Sequence, residues 1–167
     1  MIWLGIDTAN MPLSVAIVKD GTILAEVNSS MAVNHSLRAM PVIEELFATV
    51  QLQPKDIDAI AVTEGPGSYT GVRIGVTIAK TLAWTLKKPL FGVSSLKVLA
   101  ANAVYFDGLI CPIVDARRNN VYAGVYEFVD GGLTAIAEDG HFAIENLLDV
   151  LASKERPVLF VGKDVAM

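Results

Sequence analysis

The segment from Glu64 to Gly75, which reads EGPGSYTGVRIG, has the residue types and spacing of an anion-binding loop. An apolar run ends before it at Thr63, and a helical pattern continues from Val72 to Leu86. A glycine-rich turn between strand and helix presents backbone N–H groups beside the positive end of the helix dipole, where phosphates bind. The glycines equally suit a close approach of two backbones, so both interpretations stand. The candidate phosphate or nucleotide site comprises Asp7, Gly65, Gly67, Ser68, Thr70 and Gly71.

The same loop argues against two other kinds of site. It lacks the Lys-Ser/Thr ending of a Walker motif, so it is not a P-loop. No His–Asp pair stands near Ser68 in the sequence, which leaves a serine nucleophile with little support. Asp7 ends the first apolar strand and could contact a nucleotide-bound metal, although a carboxylate that caps its own turn is the favoured interpretation.

Composition and hydropathy predict a cytoplasmic protein. The chain has 167 residues, of which 53% are hydrophobic, and a mean hydropathy of +0.49. Its most apolar long window, 72–86, is too short for a membrane span and contains Arg73 and Lys80. The amino terminus lacks a basic region and a cleavage site, so we expect no signal peptide. The single cysteine, Cys111, leaves no internal disulfide and is expected to be a buried thiol.

The charge balance bears on nucleic-acid binding. The net charge is −5, with a pI near 4.9. Unassisted nucleic-acid binding requires a basic surface that displaces counterions. The whole-chain charge does not offer one, so a partner would hold any nucleic acid. Arg117 and Arg118 follow Asp115 as the one prominent basic pair outside helix ends, and contact with phosphate, contact with a partner carboxylate and a solvated hairpin all remain open.

The order of predicted elements repeats, which indicates an internal duplication. Three strands, with a hairpin signal at Asp20-Gly21, precede a helical pattern over 36–51, a strand and the glycine loop. The order starts again after Asp107, with a strand that ends at Asp115, a hairpin, a helix over 143–151 and a final strand. Two βββαβ units are typical of the ribonuclease H-like and actin-like ATPase (ASKHA) folds. We therefore predict an α/β protein with lobes at 1–106 and 107–167, the second abbreviated or cut short.

Short motifs spread from Ile6 to Tyr122 resemble the bacterial TsaB (YeaZ) family in content and order. They are Ile6-Asp7-Thr8, His35-Ser36-Leu37, the glycine loop with its flanks, Gly92 to Leu96 and Asp115 to Arg118. The glycine loop is quite specific, whereas each other motif alone would be weak. The resemblance covers nearly all of this chain, but members of the family usually continue further.

The resemblance implies a role in forming threonylcarbamoyladenosine next to the anticodon of tRNA. In the family, TsaB is a non-catalytic subunit that binds and activates the threonylcarbamoyltransferase TsaD, and the ATPase TsaE joins the pair. It implies a homodimer when TsaD is absent, and tRNA contact through the complex only. It also implies no cofactor of its own, with ATP or ADP at the complex interface. In that setting Arg117 and Arg118 become candidates for contact with tRNA or a partner.

A missing histidine separates this chain from catalytic relatives. The TsaD-like proteins hold a metal with a His-x-x-x-His helix, whereas the matching stretch here runs from His35 to Ala39. His141 makes no metal-binding pattern with His35, so we expect no metal site. Helix-end capping or surface packing is the favoured role of His35. The departure counts against a glycoprotease-like peptidase, and an actin-like kinase or ATPase that uses Asp7 and the glycine loop is the alternative function.

Two helical patterns carry more apolar residues than one buried face requires. Core burial accounts for one face of each helix. The resemblance assigns the remaining surface to the contact with TsaD. The expected partner interface comprises Met40, Glu44, Phe47, Val72, Val76 and Ala79.

Overall fold

The computed structural model describes residues 1–29 and 35–165, with the side chain of His35 excluded. The backbone contacts divide the chain into two compact units, Met1–Ser95 and Leu96–Met167. The boundary predicted from the sequence lies at 106, eleven residues later. Leu96, Ala100 and Ala103 pack with Ile110 of the following strand, which groups residues 96–106 with the second unit.

A five-stranded sheet forms the frame of the first unit. Its strands are β1 (Ile2–Asp7), β2 (Leu13–Lys19), β3 (Thr22–Ser29), β4 (Ala59–Thr63) and β5 (Leu90–Val93), in the spatial order β3-β2-β1-β4-β5. The first three strands run antiparallel, whereas β4 pairs parallel with β1 and with β5. The mixed sheet therefore brings the end of β1 beside the end of β4, where the glycine loop begins.

Two helices pack with the apolar residues of this sheet. They are α1 (His35–Thr49) and α2 (Tyr69–Leu86). Leu4, Ile17 and Ile60 are fully buried in the core that these elements form. Alternate strand positions point to the same side of a sheet, which explains why buried and half-buried residues alternate along β2. Pro41 lies inside α1 and is exposed.

The buried face of α2 consists of small residues only. Gly71, Gly75, Ala79 and Ala83 recur at intervals of four, and all four are buried. Residues four apart lie on one side of a helix, so this row lets the helix axis approach the sheet closely. The helix ends at Leu86 and is capped by Lys87, which adopts the left-handed conformation with φ 53°.

The second unit is built on a four-stranded sheet. Its elements are α3 (Ser95–Ala100), a short 3-10 turn (Ala101–Ala103), β6 (Leu109–Asp115), β7 (Asn120–Val129), β8 (Gly132–Ala143), α4 (Ile144–Ala152) and β9 (Val158–Val161). The spatial order is β8-β7-β6-β9, with β9 parallel to β6 and the other pairs antiparallel. The first six residues of β6 are buried, because this strand is central and its side chains are covered on both faces.

Both units share one topology, which confirms the predicted duplication. In each, the first strand pairs antiparallel with the second and parallel with the strand that follows the helix. This is the ribonuclease H-like βββαβ unit, and its duplication is the actin-like α/β fold. The strand predicted from Leu133 to Ala137 ends six residues before the observed β8, which continues to Ala143. The observed strand is longer because β8 stays paired with β7 beyond a register shift. Among the described helices, none combines the length and apolar character needed to cross a membrane.

Candidate functional site

The glycine loop joins β4 to α2 and is hydrogen-bonded to the turn after β1. Ser68 caps α2, since its hydroxyl accepts a hydrogen bond from the Gly71 N–H at 3.2 Å. The Ser68 N–H itself donates to the carbonyl oxygen of Ala9 at 2.7 Å. A serine cap satisfies a donor of the first helical turn. Two N–H groups of the loop are thus bound to oxygen atoms of the protein.

Close backbone contacts account for the loop glycines. A Cβ atom at Gly67 would lie 2.3 Å from the carbonyl oxygen of Ala9, and one at Gly71 would lie 2.1 Å from that of Thr8. A Cβ atom at Gly75 would lie 2.3 Å from the Thr8 hydroxyl oxygen. These distances leave no room for any side chain, so close packing explains the three glycines without an anion. The phosphate-binding assignment of Gly65, Gly67, Ser68, Thr70 and Gly71 stays a prediction.

Asp7 and Thr8 stabilise the turn that the loop approaches. Asp7 Oδ1 accepts hydrogen bonds of 2.8 Å from the Ala9 N–H and from the Thr63 hydroxyl. The buried Thr8 hydroxyl donates to the carbonyl oxygen of Gly71 at 2.7 Å. An aspartate that binds the N–H two residues later forms an Asx turn. This geometry favours the turn-capping role of Asp7, and its contact with a nucleotide stays a prediction.

A groove of about 470 Å³ lies between α1 and the first half of α2. Its lining residues are Ser36, Met40, Tyr69, Thr70, Arg73, Ile74, Thr77 and Ile78. We call it the α1–α2 groove. The side chain of Tyr69 is 71% exposed, and the Arg73 guanidinium lies 3.6 Å from the centroid of its ring. This cation–π contact orients the aromatic ring at the groove wall.

The surface beside the groove is also apolar. Leu37, three residues before Met40 on α1, is 71% exposed, and Met40 is 37% exposed. Apolar side chains that are exposed together, beside an aromatic ring and an arginine, are typical of the centre of a protein–protein interface. The arrangement can bind an apolar segment of a partner.

The predicted interface residues do not share one surface. Met40 lines the groove, and Glu44 is exposed one turn later on α1. Phe47 and Ala79 are only 5% and 0% exposed, because both belong to the core of the first unit. They therefore offer almost no contact area. The assignment of these residues to an interface stays a prediction.

The two valines of the predicted interface lie elsewhere on α2. Val72 and Val76 are half-buried and do not line the groove. At 100° per residue they fall on the flank of α2 opposite Ile74. Sequence reasoning missed Tyr69, Arg73 and Ile74, although the i, i+4 spacing of an aromatic residue and an arginine was visible.

The predicted basic pair lies at a strained turn between β6 and β7. Arg117, Arg118 and Asn119 all have positive φ angles, of 68°, 55° and 58°. The Arg117 N–H donates to Asp115 Oδ1 at 2.7 Å, and its guanidinium lies 3.2 Å from Asp115 Oδ2. The Asn120 side-chain amide donates to the Arg118 carbonyl oxygen at 2.8 Å. These contacts hold a costly backbone conformation, and the contact of both arginines with tRNA or a partner stays a prediction.

The histidines and the cysteine occupy separate places. The helix α1 begins at His35, whose side chain lies outside the described residues. His141 is exposed on β8, with its ring edge-to-face with Tyr122 at 5.4 Å. Residues 1–29 and 35–165 contain no group of three or more His, Cys, Asp or Glu side chains placed to hold a metal ion. Cys111 is buried in β6, and burial raises the pKa of its thiol to about 12.

Comparisons with known proteins identify relatives over the whole chain. A profile of the family described as "TsaD: tRNA N6-adenosine threonylcarbamoyltransferase" matches residues 22–167. The tRNA threonylcarbamoyladenosine biosynthesis protein TsaB of Bacillus subtilis (strain 168) is 48% identical over 167 residues, which is 100% of this chain and 73% of that protein. The protein of the same name from Escherichia coli (strain K12) is 37% identical over 132 residues, 78% of this chain and 57% of that protein.

A solved structure and a catalytic relative extend the comparison. YeaZ from Pseudomonas aeruginosa is 29% identical with a TM-score of 0.79, over 85% of this chain and 67% of that one. A tRNA N6-adenosine threonylcarbamoyltransferase of Thermus thermophilus is 31% identical over 147 residues, 78% of this chain and 45% of that protein. The match of all 167 residues to a TsaB protein and the structural match to YeaZ agree with the motifs between Ile6 and Tyr122. This chain belongs to the TsaB (YeaZ) family.

Proposed function

We propose that this chain is a non-catalytic subunit that binds TsaD and activates it for threonylcarbamoyladenosine formation in tRNA. The observation that carries the proposal is the α1–α2 groove, with the exposed side chains of Met40 and Tyr69 and the half-buried Ile74. Burial of apolar surface drives most protein association, and aromatic and arginine side chains are enriched at interface centres. The Tyr69–Arg73 pair supplies both kinds of side chain at one point of the groove wall.

The interior of the glycine loop supports a non-catalytic role. Backbone oxygens of Thr8 and Ala9 occupy the space beside Gly67 and Gly71 where a ligand would have to lie. Asp7 already accepts hydrogen bonds from two donors of the protein. A nucleotide-dependent kinase would need these N–H groups and this carboxylate for its substrate. We accordingly propose that the subunit has no cofactor of its own and that ATP or ADP binds only at the interface of the complex.

The assembly follows from the same surface. We propose that TsaD and a second copy of this chain compete for the α1–α2 groove, so that a homodimer forms only without TsaD. TsaE would join the TsaD-bound form, and the tRNA would be bound by the complex. All of this would take place in the cytoplasm, where tRNA is modified.

Reconstitution of the modification tests the proposal. Purified TsaD, TsaE, threonylcarbamoyl-adenylate and unmodified tRNA are combined with and without this chain, and the modified nucleoside is measured. We expect product only when the chain is present, and equal product with Asp7→Asn, which keeps the size of the side chain. The chain alone should not turn over ATP. ATP turnover by the isolated chain that is lost in Asp7→Asn would instead support the kinase or ATPase alternative.

A further inference from the structure

A second concave surface lies at the end of α2, beside the edge strand β5. It has a volume of about 690 Å³ and is lined by Lys80, Ala83, Trp84, Lys87, Lys88 and Leu90. We call it the Trp84 groove. All six residues belong to the first unit. They lie outside the lining of the α1–α2 groove, so this surface is separate from the one assigned to TsaD.

Trp84 is the most unusual residue of this groove. Its side chain is 87% exposed, although tryptophan is normally among the most buried side chains. The other tryptophan, Trp3, is half-buried and stacks against Phe91 with ring centroids 5.1 Å apart. The indole of Trp84 therefore offers a whole aromatic face to a ligand.

The charge around Trp84 is positive despite the acidic composition of the chain. Lys80, Lys87 and Lys88 line the groove with it. Between Glu64 and Asp107 the sequence contains five basic residues and no acidic residue, although the whole chain has a net charge of −5. Among the described residues, none of these three lysines forms an ion pair with a carboxylate. The local charge is thus available to an anionic ligand.

The helix dipole explains only part of this arrangement. Cations near the carboxyl end of a helix interact favourably with its dipole, which accounts for Lys87 and Lys88. It does not account for Lys80, almost two turns earlier, or for the exposed indole of Trp84. Beside the tryptophan, Ala83 and Leu90 supply the other apolar side chains of the groove.

We propose that the Trp84 groove binds RNA through an unpaired base and its flanking phosphates. Every base has an aromatic face that can stack on an indole, and this stacking tolerates any sequence. Lysines neutralise the phosphates on either side and release counterions. Three of the 13 basic residues of the chain line this groove, although the net charge is −5. The choice of tRNA as the RNA rests on the proposed function, whereas the chemistry of the groove does not.

Binding of RNA to the isolated chain tests the inference. Trp84 fluorescence is followed in a Trp3→Phe background during titration with an unmodified tRNA transcript, at about 50 and about 200 mM salt. A fully paired duplex RNA serves as the second probe. We expect tRNA to quench the fluorescence and duplex RNA to quench it far less, because only unpaired bases can stack on the indole.

Three variants then separate stacking from charge, with binding measured by a fluorescent label on the tRNA. Trp84→Ala should weaken tRNA binding by roughly fivefold or more and leave its salt dependence unchanged. Trp84→Phe should restore most of the lost affinity. Replacing Lys80, Lys87 and Lys88 together by Gln should lower the slope of log affinity against log salt by about 2. The matched control replaces the exposed lysines Lys19, Lys55 and Lys154 by Gln and should leave the slope nearly unchanged.

Defined outcomes would overturn the inference. The first is a failure of the wild-type chain to bind tRNA at low salt. The second is a lysine control variant that lowers the salt slope as much as the variant of the three groove lysines does. The third is a Trp84→Ala variant that binds tRNA as tightly as wild type. Binding to phosphatidylserine vesicles, or to an acidic protein, in place of tRNA would contradict it as well. Ile74→Arg, which should block TsaD binding, should leave tRNA binding intact. The two proposals can therefore fail independently.

Discussion

The hydroxyl of Thr8 donates a hydrogen bond of 2.7 Å to the carbonyl oxygen of Gly71, and this bond joins the end of β1 to the first turn of α2. Both groups are buried. The bond lies where the backbones approach most closely, since a Cβ atom at Gly71 would stand 2.1 Å from the Thr8 carbonyl oxygen. This contact helps to hold α2, which carries residues of both grooves, against the end of β1.

The close approach of the two backbones predicts that one methyl group added at Gly71 strongly destabilises the fold. Gly71→Ala should lower the free energy of unfolding by about 3 kcal/mol or more, because the new Cβ atom meets a backbone oxygen that cannot retreat. Urea unfolding measured by circular dichroism gives the value. Gly5→Ala is the matched control, since its nearest contact would be 3.9 Å, and it should change stability by less than about 1 kcal/mol. A Gly71→Ala protein as stable as wild type would contradict the packing role.

The hydrogen bond itself has a smaller expected effect. Thr8→Val keeps the shape of the side chain but removes the donor, which should cost about 1–2 kcal/mol of unfolding free energy in the same urea experiment. Thr81→Val removes an exposed hydroxyl that donates to its own helix at 2.9 Å, and it should change stability by no more than about 0.5 kcal/mol. Equal effects of the two substitutions would show that the buried hydrogen bond contributes no more to stability than the exposed one.

The prediction from sequence succeeded where the pattern is local. The helical period of α2 and the duplication of βββαβ units were visible, because both depend on spacing along the chain. The loop at Gly67 and Gly71 allowed two interpretations, and only the distances to Thr8 and Ala9 favour close packing. No local signal marks a contact between segments some sixty residues apart in the chain.

The surfaces were harder to predict than the elements. Phe47 and Ala79, which were assigned to an interface, are buried in the core of the first unit, because the flank of an apolar helix that is buried depends on how the helix packs. Their assignment stays a prediction. The exposure of Trp84 was missed for the same reason. The left-handed run from Arg117 to Asn119 contains no glycine, and Asn119 is its one residue of a type that favours this conformation, so the sequence signal for it was weak.

The burial of Cys111 predicts that its thiol reacts slowly with thiol reagents and that the free energy of unfolding depends on pH. Its thiol should react with a thiol reagent at pH 8 only on unfolding, because the pKa is raised to about 12 from a model-compound value of 9.0. A group whose pKa is raised in the folded state stabilises the fold below the unfolded pKa. Above about pH 9, the free energy of unfolding should therefore fall by up to about 1.4 kcal/mol per pH unit.

Cys111→Ala isolates this contribution from other groups that titrate above pH 9. The difference in unfolding free energy between wild type and the variant should shrink as the pH rises from 9 toward 12. A constant difference, or rapid labelling of the native protein at pH 8, would show that the thiol is accessible.

Pro41 predicts a stabilising substitution. It lies inside α1 and is exposed, where it removes one backbone donor and crowds the preceding turn. Pro41→Ala should raise the free energy of unfolding by about 1–3 kcal/mol. Pro54, in the first turn of a 3-10 helix, is the matched control, because proline suits that position and Pro54→Ala should give no gain. A loss of stability in Pro41→Ala would show that the helix requires its proline.

The most direct test of the central claim is the affinity of this chain for TsaD, measured by calorimetry with three proteins. Ile74 lines the α1–α2 groove, whereas Ile23 is an exposed isoleucine on β3 outside it. Circular dichroism should first establish that Ile74→Arg and Ile23→Arg are folded. The proposal predicts that wild type and Ile23→Arg bind TsaD equally, and that Ile74→Arg binds at least about tenfold more weakly because it places a charge in the apolar contact. Equal affinity of all three proteins, or no binding by wild type, would contradict it.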